Sequence, residues 1–197
     1  CIASKRVYVH RDIYDRLRDA IVAYARTVKV GDGGDQGTQI GPINNRPQYE
    51  RVVGLIRNAQ DNGYNFLTGG EDNMPARGYF VPVTIIDNPP ESSRIVQEEQ
   101  FGPVMPLLRY DDVEEAVARA NASDYGLGAS VWGSDEAAAQ VATRLMSGTV
   151  WINETRHLSP VVPFGGMKQS GLGVEGGEEG LLEYSLPRTI VRRKQPA

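Results

Sequence analysis

The order of strand-like and helix-like runs constrains this chain most. Lys5-Arg6-Val7-Tyr8-Val9-His10 alternates polar and apolar side chains, the period of a strand. Asp12 then stands as a helix cap ahead of Ile13, Leu17, Ile21, Val22 and Val28, which fall at helical spacing. A loop rich in Gly and Asp, Gly31 to Gly37, leads to a second helix marked by Tyr49, Val52, Val53 and Ile56 and stopped at Asn62-Gly63. Tyr64 to Thr68 reads as a short strand and Met74 to Gly78 as a turn. Tyr79 to Asp87 is extended, and Pro82 places it at an edge or irregular position.

The alternation continues. Val104 to Tyr110 is a strand, and Asp111 or Asp112 caps a helix over Val113 to Asn121. Leu127 to Trp132 is a strand, Asp135 to Met146 a helix and Gly148 to Asn153 a strand. Glu154 to Glu175 is a Gly-dense loop, Glu178 to Ser185 a short helix and Thr189 to Arg193 a basic strand. Strands alternating with helices predict an α/β fold with a doubly wound, largely parallel sheet flanked by helices. No linker divides the sequence.

Charge and cysteine content remove several functions. Lys plus Arg number 21 against 25 Asp plus Glu, a net charge of -4, which disfavours a nucleic-acid or anionic-membrane coat. No apolar run approaches the roughly 20 residues of a membrane span. One cysteine and two histidines exclude a disulfide framework within the chain and make a metal site unexpected. A soluble, cytoplasmic protein follows. The sequence opens at its only cysteine, with no initiator Met and no leader, so we expect a portion of something longer.

Gly171-Leu172-Gly173-Val174-Glu175-Gly176 spells a dinucleotide fingerprint, but a Gly-rich loop precedes it where a strand is needed, so the match reads as coincidental. Cys1 is a candidate nucleophile, because a thiolate available near neutral pH attacks carbonyls. An N-terminal cysteine hydrolase is one alternative, although its usual antiparallel sheets conflict with the βα alternation. In Glu98-Glu99-Gln100-Phe101-Gly102-Pro103-Val104, a carboxylate able to accept from sugar hydroxyls adjoins an aromatic wall for a ring. The bland alternative is an exposed acidic turn.

Six collinear segments together resemble the aldehyde dehydrogenase superfamily: Cys1 to His10, Gly41-Pro42-Ile43, Glu98 to Val104, Asn121 with Tyr125-Gly126-Leu127, Gly148 to Asn153, and Pro163 to Lys168 with Ser170 to Gly173. The resemblance implies NAD- or NADP-dependent oxidation of an aldehyde to a carboxylic acid, through a thiohemiacetal and then a thioester on Cys1. It implies that Glu99 binds the nicotinamide ribose, that Phe101 lies along that part of the cofactor, and that Gln48 contacts the adenine-side ribose. Asn153, Thr155, Arg156, His157 and Leu158 would line the aldehyde tunnel, and Glu175 would serve a proton relay. Residues 1–186 would be the catalytic domain and 187–197 a strand joining another subunit, in a homodimer or homotetramer.

The family's cofactor domain, oxyanion-hole Asn and general-base Glu have no counterpart in these residues. Loss of the oxyanion donor alone costs about 10²–10³ in rate, so the chain by itself is expected to be inactive. A non-catalytic binding module of the same fold is the other alternative.

Overall fold

The structure, a computed structural model, describes residues 1–194. The chain divides into two compact units: residues 3–123 with Cys1, and the residues from Asp124 on with Ile2. The break follows no Pro- or Gly-rich linker, so composition does not mark it.

The first unit is built on four strands, β1 (Val7–His10), β2 (Asn65–Thr68), β3 (Thr84–Asp87) and β4 (Val104–Tyr110), in the order β1-β4-β3-β2. β4 runs parallel to β1 and β3, and β2 is an antiparallel edge. Period-two alternation sends neighbouring residues to opposite faces. Val9, Ile85 and Leu107 pack with Tyr14 and Ala25 of α1 (Arg11–Ala25). Ile86, Val104 and Leu108 pack with Val52, Leu55, Ile56 and Ala59 of α2 (Arg46–Asp61) and with Ile95 and Val96 of α3 (Arg94–Gln97). One helix on one face and two on the other is the doubly wound arrangement expected. Leu107 and Leu108 are both fully buried, each worth about 1.5–3 kcal/mol of transfer free energy.

Two local expectations are corrected. The edge placement allowed for Tyr79 to Asp87 is overturned, because β3 lies inside the sheet, while residues 79–83 are irregular, the other placement allowed. Pro82 precedes the strand, so its missing N–H is never asked of the ladder, and Thr84 Oγ1 donates to its carbonyl at 2.9 Å. The cap of α1 is His10 rather than Asp12: β1 runs directly into the helix, and His10 Nδ1 accepts from the Asp12 N–H at 3.3 Å. Asp12 instead sits in the first turn, where the helix dipole favours its charge. α2 follows the rules more closely. Asn45 Oδ1 accepts from the Gln48 N–H at 2.9 Å, and the helix ends at Asn62 before Gly63, at φ +72°. α4 (Val113–Asn121) is capped by Asp112.

The second unit centres on β6 (Gly128–Val131) and β7 (Thr149–Ile152), parallel and joined through α5 (Asp135–Ala142). The stretch expected as loop carries three two-residue strands, β8 (Phe164–Gly165), β9 (Met167–Lys168) and β10 (Val174–Glu175). β8 pairs with β10, and β9 with β5 (Tyr125–Gly126), antiparallel. Strands this short are set by tertiary pairing and leave no periodicity to read. α6 (Gly177–Leu182) follows. Residues 187–194 form no strand, and residues 195–197 of the expected subunit-joining segment lie outside the described residues. Among the described residues no helix is long and apolar enough to cross a membrane.

Two phenols report on the first unit. Tyr8 Oη donates to Glu91 Oε1 at 2.7 Å beneath the Arg119 guanidinium, and Tyr14 Oη donates to Asp87 Oδ1 at 2.7 Å. Burial is the main force pushing both pKa values up, Tyr8 to about 12 and Tyr14 further. A phenol whose folded pKa exceeds its unfolded value of about 10 stabilises the fold fully below pH ~10. That stability is lost as pH rises through the folded value. Denaturant midpoints should therefore fall from pH 10 upward, and the slope should flatten in Tyr8→Phe and Tyr14→Phe.

Candidate active site

Cys1 is exposed and unpaired at the head of the first unit. The segment behind it is fixed at two points. Arg6 donates through Nη1 to the Arg119 carbonyl at 3.4 Å and through Nη2 to the Ala120 carbonyl at 3.1 Å, binding the C-terminal end of α4. Lys5 Nζ donates to the Gly102 carbonyl.

That carbonyl belongs to the turn between α3 and β4. Gln100 is fully buried, and its Nε2 donates to the Ile95 carbonyl. Gly102 lies against α2, where a Cβ would come within 2.9 Å of Val52 Cγ2. Between these anchors Phe101 holds φ +50°, a left-handed conformation that costs an aromatic residue about 1–3 kcal/mol. The residue nevertheless remains 54 % exposed. Beside it Glu99 is half-buried. Glu98 is engaged elsewhere: Arg94 Nε donates to it at 2.6 Å, and this bond, aided by Arg51, holds its carboxyl below the usual carboxylate range. Glu99 is thus the carboxylate of this acidic pair left beside the exposed ring.

Gln48 joins this group. Its Nε2 donates to the Gln100 carbonyl at 2.9 Å and the Phe101 carbonyl at 3.2 Å. Arg51, one turn along α2, donates to the Glu99 carbonyl at 3.1 Å. Sequence reasoning singled out Gln48, Glu99 and Phe101 but missed Lys5 and Arg51. The spacing of Arg51 from Gln48 was a signal, since i and i+3 share a helix face. Lys5 is 97 residues from its partner, and nothing local announces the contact.

A carboxylate next to an exposed aromatic residue suits a ligand that joins a hydroxyl-bearing sugar to a planar ring, the chemistry of a nucleoside.

The other expected site residues lie in the second unit. Asn153, at φ +52° after β7, accepts from the Gly133 N–H and donates to Asp135 Oδ1, both at 2.9 Å. Both ends of its amide therefore tie β7 to the start of α5. The loop that follows is pinned twice. Ser130 Oγ donates to the Glu154 carbonyl, and Trp151 Nε1 donates to the His157 carbonyl at 2.7 Å. The side chains of Arg156, His157 and Leu158 are exposed, with Arg156 at φ +61°, and Thr155 is half-buried. Glu175 is an exposed residue of β10, paired with Phe164. Strand β10 fills the middle of the Gly171–Gly176 fingerprint, so that segment is no strand-to-helix phosphate turn.

A family model described as the aldehyde dehydrogenase family matches residues 1–190. The chain is 42 % identical over 191 residues to the mitochondrial aldehyde dehydrogenase of Leishmania tarentolae, covering 96 % of this chain and 38 % of that protein. An aldehyde dehydrogenase from Bacillus cereus solved with NAD⁺ superposes with a TM-score of 0.86 at 42 % identity, over 91 % of this chain and 37 % of that one. A betaine aldehyde dehydrogenase from Staphylococcus aureus, also in complex with NAD⁺, gives 0.86 at 38 % identity, over 93 % and 37 %. The chain thus spans well under half the length of the relatives it matches.

Proposed function

The chain belongs to the aldehyde dehydrogenase family, and from that premise we propose that it carries the nucleophile and part of the cofactor and substrate walls of an NAD(P)-dependent aldehyde dehydrogenase. The turn at Glu99–Phe101 carries the reading: a carboxylate and an exposed ring, held in a costly backbone conformation, in the same unit as a free thiol.

The thiolate of Cys1 attacks the aldehyde carbon and forms a C–S bond, and the carbonyl oxygen takes up a proton. Glu99 holds the ribose hydroxyls and Phe101 packs along the nicotinamide side, with Gln48 bracing both. A bound NAD(P)⁺ would supply the acceptor for the hydride released from the carbon attached to Cys1. Loss of that hydride, with the hydroxyl proton passing to water, leaves a thioester on Cys1. Water adds to it, the C–S bond breaks, and carboxylate and thiol are regenerated. Glu175 serves proton transfer in this step. Thr155, Arg156, His157 and Leu158 form the aldehyde-facing wall, with Asn153 at its base. A nucleophilic thiol must stay reduced, which fits the cytoplasm.

Residues 1–186 act as the catalytic domain. Residues 187–197 join the sheet of another copy in a homodimer or homotetramer. The exposure of Ile190 and Val191 supports this assembly.

Acid-quenching the complete protein during turnover tests the reading. An acyl mass on the Cys1 peptide and NADH in solution are expected. The 197 residues expressed alone should yield neither. An unmodified Cys1 during steady NADH production would refute the covalent route, and amide cleavage dependent on the Cys1 amine would favour a hydrolase.

A further inference from the structure

Residues 99–102 present an unusual pattern of hydrogen bonding. Each of these consecutive carbonyls accepts from a side chain: Glu99 from Arg51, Gln100 and Phe101 from Gln48, and Gly102 from Lys5. Backbone partners, which normally satisfy such carbonyls, contribute only the Val104 N–H, at 2.8 Å from the Gly102 oxygen. Strained backbone persists only where its surroundings over-determine it, and these donors do so on both sides of Phe101.

We propose that Lys5 and Arg51 are positioning residues that hold the Phe101 turn in its ring-out conformation and, through Lys5, tie it to the segment bearing Cys1. The inference rests on reading Glu99 and Phe101 as the nicotinamide-side wall. Lys5 stands four residues after Cys1 and immediately before the Arg6 anchor, so its ammonium links the entry of β1 to the far end of the turn. Burial lowers its pKa while the neighbouring Glu99 carboxylate raises it, which agrees with an ammonium enclosed at the wall. Arg51 secures the opposite end and also reaches Glu98 at 3.2 Å. A ring clamped in this way meets the cofactor without first paying to order the turn.

The test uses the complete protein, with NADH as probe. Lys5→Met keeps the apolar stem and removes the donor, and Lys5→Arg restores a donor. Lys5→Met should raise the NADH dissociation constant by about 3- to 10-fold, the size of one charge-assisted hydrogen bond. Hydrogen exchange at the Gln100–Phe101–Gly102 amides should quicken while the β3 amides stay protected. Lys5→Arg should recover most of both effects, and Arg51→Gln should reproduce the loss from the other end. Wild-type protein that fails to bind NADH would overturn the cofactor-wall reading and this inference with it. Wild-type binding left unchanged by both Lys5→Met and Arg51→Gln would overturn the positioning role alone. Exchange quickened equally in β3 would also overturn it, by showing a general loss of stability.

Discussion

Cys1→Ser in the complete protein lowers aldehyde oxidation by at least about 10⁴-fold and leaves NADH affinity within about twofold of wild type. The chemistry behind the first number is the nucleophile's proton. A thiol ionises far more readily than a serine hydroxyl, which without a dedicated base supplies almost no nucleophilic anion at neutral pH. The structure accounts for the second number. The Glu99–Phe101 wall is built by α2, α3 and the donors Lys5, Gln48 and Arg51, none of which uses the Cys1 side chain. Rate measurement with a simple aldehyde, alongside NADH fluorescence titration, checks both. A variant retaining a tenth of the wild-type rate would mean that another group performs the attack. A variant that loses NADH binding would mean that residue 1 shapes the cofactor wall directly.

The same separation explains what could be read from the residues alone. β4 was legible because a strand buried on both faces leaves a short continuous apolar run, here Val104 to Leu108, and α2 because Asn45, the apolar spacing and Gly63 all agree. Pro82 misled because it stands in the irregular backbone before the ladder, which begins at Thr84, and so asks nothing of the sheet. β8, β9 and β10 are each two residues long and take their conformation from partners distant in sequence. The strand expected at Thr189–Arg193 pairs with no strand among the described residues, so its β-propensity has nothing to act on. At the candidate site the chemical groups were visible in Cys1, Glu99 and Phe101. The side-chain donors to the turn were not, because a lysine and an arginine that cap carbonyls distant along the chain look like ordinary surface charges in the sequence.

Gly148→Ala is the structural change with the largest expected cost. A Cβ at this position would lie 1.7 Å from the Gly165 carbonyl oxygen and 2.8 Å from its carbon, both backbone atoms. No rotamer change relieves such a clash, so the chain entering β7 must separate from β8. The Gly148 N–H bond to the Gly126 carbonyl, 3.0 Å long, would be strained by the same movement. We expect a loss of at least about 4 kcal/mol, the range reserved for overpacking that the backbone cannot absorb. Gly133→Ala is the control: nothing lies within 4 Å of its Cβ position and its φ is not left-handed, so the change should stay within about 0.5 kcal/mol. Both tryptophans of the sequence, Trp132 and Trp151, lie in the second unit, so their fluorescence follows its unfolding. β7 leads directly into Asn153 and the loop pinned by Trp151, so any folded Gly148→Ala protein should show its deficit in KM for the aldehyde, with NADH affinity retained. Equal stability of the two variants would show that the second unit's strands yield without cost, and the loop at 154–158 would then lack the rigid base that an aldehyde-facing wall requires.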